Sequence, residues 1–305
     1  MRHLQRARIN ALMGKYDRAL GLLSVIENQS DAAFDPYRDY LKVEALLRTG
    51  RPAAACEAGE ARLAAGIPRS LTPQFEERLL EAYINSGKIA DAIDFVDVLK
   101  ARRSRWSVLA PVIVREIDLR FMAGDTVRAI DAALDYSADP ATRSKAVEAV
   151  EAVIMRVPAD SLTNRALLEF SGTMMARGRL GDAERLIAAL DGRVLGTDEG
   201  EEKRLLSGDL LYRERRYSKA FNVLEAGFEN PALQRRAMLL RARIYRKTGQ
   251  PQAAADAYER FAAAHPYDRK APEALYVAAD LHLSSARIHA GLEAARGGGG
   301  TRRAG

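Results

Sequence analysis

Residues whose types could support chemistry are few and scattered along this chain. His282 and His289 stand seven positions apart near the C-terminus. On a helix they share a face, but seven residues rise about 10.5 Å, too far for one metal ion to take both imidazoles. They are expected as surface or partly buried side chains, and no metal site is expected. The pairs Glu76-Glu77 and Glu201-Glu202 have the residue types of an acid–base couple. Their expected place is at helix starts, where carboxylates complement the dipole. Cys56 is the single cysteine, so the chain has no internal disulfide and no thiolate metal site. It is expected as a small packing or surface residue. A nucleophile elbow, a His-Glu-x-x-His zinc signature, a phosphate-binding Gly-Lys-Ser/Thr loop and a dinucleotide glycine fingerprint are all missing from the sequence. The chain is therefore expected to be no enzyme, with no catalytic residues and no cofactor.

The elements that would position any site are set by a repeated local pattern: a helix stop, a small turn, then an alanine five residues on. It occurs at Gly14–Ala19, Gly50–Ala55, Gly87–Ala92, Gly124–Ala129, Gly178–Ala183 and Gly249–Ala254. A copy at Arg215–Ala220 lacks the glycine but keeps the frame. Successive turns are 36, 37, 37, 54, 37 and 34 residues apart, a period that marks stacked helical hairpins. In the clearest copy, Ala237, Leu240, Ala242, Ile244 and Tyr245 form the buried face of a first helix. Arg243, Arg246 and Lys247 end it at the negative pole of the dipole. Gly249 supplies a left-handed cap, and Pro251 opens a second helix where its missing N–H is no loss. Ala254, Ala257, Tyr258 and Phe261 face back. The alanine is small because antiparallel helices lie closest beside a short turn.

This unit resembles a tetratricopeptide repeat. Ala242, Tyr245, Gly249, Ala254, Tyr258 and Pro266 carry the resemblance in the last full copy; Gly14-Lys15-Tyr16-Asp17-Arg18-Ala19 and Tyr83 with Gly87 and Ala92 carry it earlier. Asn10, Leu46 and Arg120 depart from the aromatic seen at Tyr83 and Tyr245. The resemblance covers roughly residues 1–266. It implies an all-α, right-handed α-solenoid of about seven to eight helix-turn-helix repeats, the eighth a decayed frame at Ser285 and Ala290 after a helix from Ala271 to Leu283. The stretch Gln250–Leu283 is also similar in wording to helical regions of soluble lytic transglycosylases and bacterial envelope assembly factors.

The long interval from Gly124 to Gly178 holds one surplus helix. Asp139-Pro140 reads as its N-cap and first turn, and Val147, Val150, Val153 and Ile154 as its stripe. Pro158 stops it, and Asp160-Ser161 starts the next. Four parts follow: an N-terminal lobe of about four repeats over 1–138, the extra helix within 139–160, a C-terminal lobe over 161–296 of about three repeats plus the decayed one, and a flexible Gly/Arg tail over 297–305. The extra helix either bends the stack or packs in register.

In this family the first helix of each hairpin lines the concave face, which implies a set of groove residues. In the first lobe these are Arg8, Tyr37, Tyr40, Glu44, Arg48, Glu77, Glu81, Asn85, Asp118, Phe121 and Met122. In the second they are Arg165, Met175, Leu205, Asp209, Tyr212, Arg213, Arg236, Arg243, Arg246 and Lys247. Aromatic anchors set among charges suit a protein or peptide partner. The family's carboxylate clamp, with Lys or Arg and Asn at fixed groove positions, is not present, so binding of chaperone tails is not implied.

Charge is unevenly spread. Of the net +6, residues 201–305 hold 19 basic against 12 acidic side chains and the remainder 28 against 29. Three functional readings follow. The leading one is a non-enzymatic scaffold binding a partner segment along the groove. The second is a helical accessory region of a larger bacterial envelope enzyme of the peptidoglycan lyase type. The third, nucleic-acid binding by the basic C-terminal third, is disfavoured because no per-repeat base-reading code is present. Exposed repeat ends leave self-association open. No apolar run spans a membrane, and residues 1–14 lack the core of a secretory signal. The chain reads as cytoplasmic as written, or periplasmic if its N-terminus is truncated. The first helix already includes Met1, as in a fragment of a longer protein.

Overall fold

The computed structural model describes residues 2–26, 34–102, 106–138 and 146–298, with side chains described outside 102–113 and 287–298. Among the described residues it holds sixteen α-helices, one 3-10 turn and no strand. Two compact units divide the chain, residues 1–135 and 136–305.

The first unit is built from four hairpins: α1 (Arg2–Leu12) with α2 (Tyr16–Ile26), α3 (Asp35–Arg48) with α4 (Pro52–Ala65), α5 (Thr72–Asn85) with α6 (Ile89–Arg102), and α7 (Trp106–Met122) with α8 (Thr126–Ala138), whose last residues pass into the second unit. The second unit begins with a lone helix, α9 (Val147–Ile154). Three hairpins follow: α10 (Asn164–Ala176) with α11 (Leu180–Ala188), α12 (Thr197–Arg213) with α13 (Tyr217–Glu225), and α14 (Pro231–Lys247) with α15 (Pro251–Ala264). α16 (Ala271–Gly298) ends the described chain.

All seven turns close in the same way. The Gly14 N–H bonds the Ala11 carbonyl at 2.9 Å, and the Lys15 N–H reaches back to Asn10 at 2.8 Å. This is the Schellman pair, which satisfies carbonyls that the helix end leaves open. The pattern recurs through the last turn, where the Gln250 N–H bonds the Tyr245 carbonyl at 3.0 Å. Six glycines hold the left-handed position at φ 72° to 76°, and Arg215 holds it at 62°. The residue after it then acts as acceptor: the Lys15 carbonyl takes the Ala19 N–H at 3.0 Å, and that of Gln250 takes the Ala254 N–H at 2.9 Å. One residue thus closes the first helix and opens the second.

The alanine bonded there is at most 1% exposed in all seven hairpins. Backbones come close elsewhere too. A Cβ placed on Gly208 would lie 2.6 Å from Leu224 Cδ2, and one on Gly59 would lie 2.7 Å from Leu79 Cδ1. The apolar core is a series of local clusters. One joins Leu4, Ala7, Leu23 and Leu41 in α1–α3, another Phe75, Leu79, Phe95 and Leu99 across α3–α7. In the second unit one cluster centres on Leu205, Leu224 and Leu240, another on Tyr258, Phe261 and Ala274. Each element is held by its neighbours in the stack. The fold is an all-α helical-repeat solenoid.

Two sequence expectations are corrected, and a third is described only in part. The surplus helix runs from Val147 to Ile154, ending before Pro158; its expected N-cap at Asp139-Pro140 lies outside the described residues. Val147, Val150 and Val153 are buried as the stripe requires, and Glu151 pairs with Arg179 beyond α10. Asp160-Ser161 forms a 3-10 turn, and α10 starts after Thr163, whose Oγ1 accepts the Ala166 N–H at 3.2 Å. A side chain that satisfies a first-turn N–H sets the true start. The eighth frame is absent: α16 continues for 28 residues through Ser285 and Ala290. The run Ser-Ser-Ala-Arg-Ile-His-Ala offers neither a left-handed cap nor a proline to stop it. Of the expected tail, residues 297 and 298 belong to α16, and residues 299–305 lie outside the described residues.

Candidate partner-binding surfaces

In the first unit the expected groove residues sit on the first helices of the hairpins. Tyr37 and Tyr40 of α3 stack with ring centroids 6.5 Å apart and planes at 29°. The Arg8 guanidinium of α1 lies 5.7 Å from the Tyr37 ring centroid, within cation–π range. From the other side Arg78 of α5 faces the Tyr40 hydroxyl and pairs with Glu81 at 2.7 Å. Burial raises the Tyr40 hydroxyl above its usual pKa; the Glu44 carboxylate adds to the rise and Arg78 partly offsets it. Arg115 of α7 stands 3.9 Å from Glu77. Asp118 and Phe121 are half-buried on α7, while Arg48, Asn85 and Met122 are exposed near the ends of their helices.

Beneath this face runs a second set of pairs. Arg38 donates its Nε to Asp39 at 2.9 Å and pairs with Asp35 at 2.8 Å, and Arg62 of α4 pairs with the other Asp39 oxygen at 2.9 Å. Arg120, where other repeats carry an aromatic, is buried with Glu116: Nε to Oε1 is 2.8 Å. Lys100 holds Glu116 Oε2 at 2.9 Å, and Asp97 lies 3.2 Å from Arg120. A long cation with a carboxylate partner fills the place of a tyrosine. Tyr83 in the regular position has its pKa pushed up by burial first and by Glu60 second.

In the second unit the face is basic and largely unpaired. Arg236, Arg243 and Lys247 recur at spacings of seven and four on α14, which places them on one side of the helix. Arg246 is adjacent. Among the described residues none of these four cations has a carboxylate within ion-pair distance. Arg243, Arg246 and Lys270 line, with Glu273, a notch of about 50 Å³ over Tyr258. Burial raises the Tyr258 pKa, against the pull of Arg246 and Arg243. Tyr212 packs on Tyr217 with centroids 5.7 Å apart. Arg213 is held by Asp209 at 3.2 Å and by the Met175 carbonyl at 2.8 Å. Arg165 is exposed. Met175 and Leu205 are core residues, each 2% exposed; Leu205 packs with Ala220 and Leu224 of the paired second helix.

Several residues with structural or surface roles were not visible in the sequence. Arg193 donates to the carbonyls of Leu162, Ala159 and Asp160 at 2.7, 3.1 and 3.0 Å, clamping the turn before α10. Glu201 is no exposed dipole partner: it is buried and accepts the backbone N–H groups of Glu229 and Asn230 at 2.6 and 3.0 Å. Glu76 is buried too. A cleft of about 370 Å³ opens beside α14, lined by Tyr217, Phe221, Ile244 and Tyr245. Phe221 lies 5.1 Å from the Tyr245 ring and 5.2 Å from the Arg241 guanidinium. The spacing of Tyr217 and Phe221 by four was a usable signal; the pairing with α14 was not. Cys56 is buried, its Sγ 3.4 Å from Ser86 Oγ. His282 contacts Glu259, and the His289 side chain lies outside the described residues. No helix among the described residues is long and apolar enough to cross a membrane.

No protein-family model matches this chain, and no curated protein matches it. Among solved structures, a tetratricopeptide repeat protein from Parabacteroides merdae is similar over 91% of this chain and 97% of its own, at 12% identity and TM-score 0.38. The yeast Sti1 TPR2AB domain, solved as a complex with pHSP90, is similar over 91% of this chain and 97% of its own, at 12% identity and TM-score 0.35. The P58(IPK) TPR domain is similar over 93% and 88% respectively, at 17% identity and TM-score 0.33. The helical repeat is tetratricopeptide-like on its own register, in which seven left-handed turns are each followed by a buried alanine.

Proposed function

We propose that this chain is a non-enzymatic protein–protein interaction scaffold, and that the basic side of α14 in its second unit takes a carboxylate-bearing segment of the partner. One observation carries the reading: Arg236, Arg243, Arg246 and Lys247 stand together with no carboxylate partner among the described residues, whereas Arg78, Arg120 and Arg213 on other first helices are paired. Unpaired cations around aromatic rings recruit an oppositely charged segment, set its orientation and speed its encounter. Tyr212 and the Tyr258 notch supply the apolar contacts that such a segment needs for residence. In the first unit, Tyr37, Tyr40 and Phe121 are the aromatic anchors, but the charges around them are already engaged.

The test is affinity capture from lysate with salt-step elution, run on the wild type and on Arg243→Gln/Arg246→Gln/Lys247→Gln. One or two stoichiometric proteins, retained by the wild type and released by the triple variant, are expected. An eluate of nucleic acid without enriched protein, or a partner indifferent to the triple variant, overturns the assignment to α14.

A further inference from the structure

Asp256 and Glu259 lie three residues apart on α15, so both carboxylates project from one face. α16 packs against α15 and brings His282 to that face, with Nε2 3.0 Å from Glu259 Oε1. One ligand atom from each of the three residues lies within 4.8 Å of the others. Among the described residues no other His, Cys, Asp and Glu side chains gather in this way. We propose that Asp256, Glu259 and His282 form a divalent-metal site of the kind that Zn²⁺ takes, clipping α16 to α15.

The donor set decides the class of ion. One imidazole and two carboxylates suit Zn²⁺ and its first-row neighbours, with water as the fourth ligand. Mg²⁺ and Ca²⁺ prefer six or more oxygens. Metal–ligand bonds of about 2.0–2.2 Å set neighbouring donors roughly 3.4 Å apart in a tetrahedron. The His282–Glu259 pair therefore opens by a few tenths of an ångström, and the exposed Asp256 carboxylate swings in. Two carboxylates balance the charge of the ion.

The surroundings fit the same reading. Gln252 donates to Asp256 Oδ1 at 3.0 Å, orienting that carboxylate from outside the cluster. Arg260, next to Glu259, turns its Nε to the Asp256 backbone carbonyl at 3.1 Å, so it does not bond either carboxylate. The His282 side chain is 39% exposed and that of Glu259 51%, so an ion has an entry path.

Binding displaces any proton held on Nε2. An Nε2 that donates to the Glu259 carboxylate carries a proton where the metal would bind. The metal takes the Nε2 lone pair: a neutral imidazole then carries its one proton on Nδ1, and an imidazolium releases one proton to solvent.

The full chain, stripped with a chelator, is titrated with ZnCl₂ by calorimetry, with MgCl₂ in parallel and Co²⁺ absorption as a geometric readout. One Zn²⁺ per chain, a four-coordinate Co²⁺ spectrum and no Mg²⁺ response are expected, with stoichiometric uptake lost in His282→Ala and Glu259→Gln. Glu259→Gln keeps a carbonyl acceptor for the imidazole, and circular dichroism confirms that it stays helical. It is the deciding variant if His282→Ala frays α16. No saturable Zn²⁺ uptake by the wild type, or uptake unchanged in Glu259→Gln, overturns the site.

Discussion

The first helices of the two units occupy equivalent places in the repeat and carry similar residue types, yet three arginines of the first unit and one cluster of α14 differ in whether a carboxylate holds them. In the first unit Arg78 is tied to Tyr40 and Glu81, and Arg38 to Asp35 and Asp39. Arg120 is tied to Glu116 and Asp97. In the second, four cations of α14 have no such counter-charge among the described residues. The difference is one of neighbours. Each repeat touches only the next, so a cation becomes structural where the adjacent helix offers a carboxylate and stays available where it does not. Charge at a groove position therefore has no fixed meaning until the neighbouring helix is known.

The sharpest way to break this comparison is to remove a structural cation. Arg120→Ala leaves the Glu116 carboxylate, 1% exposed at its side chain, with only Lys100 beside it. Stripping one partner from a buried pair costs about 3–5 kcal/mol. Because Lys100 remains, a loss near the lower end, about 3 kcal/mol, is expected in urea unfolding followed by helicity. A loss below about 1 kcal/mol would mean that this network behaves as a surface pair, and the contrast between the units would fail.

The turns and their alanines were legible because they are decided within a few residues: a left-handed cap, the residue that follows it, and a small side chain at the point of closest approach. The state of the groove was not legible, because it depends on pairs far apart in sequence. Arg78 meets Tyr40 across two hairpins, Glu201 meets the backbone of Glu229 and Asn230, and His282 meets Glu259. Neither member of such a pair signals the other locally. The eighth frame was misread for the opposite reason. The offset between Ser285 and Ala290 matched the repeat, but spacing alone does not stop a helix without a residue that accepts positive φ or removes an N–H.

The turns offer a second contrast. All four turns of the first unit place glycine at the left-handed position, while one of three in the second places Arg215 there at φ 62°. An L-residue in that region costs roughly 1–2 kcal/mol, and glycine returns about 0.4–1 kcal/mol through the freedom of its unfolded chain. Arg215 is exposed and has no ion pair among the described residues. Arg215→Gly should therefore stabilise the protein by about 0.5–1 kcal/mol, read as a midpoint rise of about 2 °C by calorimetry. A fall would show that the arginine contributes a contact outweighing the strain.

The smallest effect carries the most information about function. Arg236→Gln/Arg243→Gln removes two cations from α14 that no carboxylate of the described residues holds. Arg236 is exposed and Arg243 half-buried, and surface substitutions of this kind change stability by about 0.5 kcal/mol or less. Here the sign should be a slight gain at low salt that fades as salt is added, because like charges on one helix face repel and salt screens them. Unfolding measured at two ionic strengths tests both parts. A loss above about 1 kcal/mol, independent of salt, would instead make these arginines structural, and the two units would then differ only in where their charges are buried.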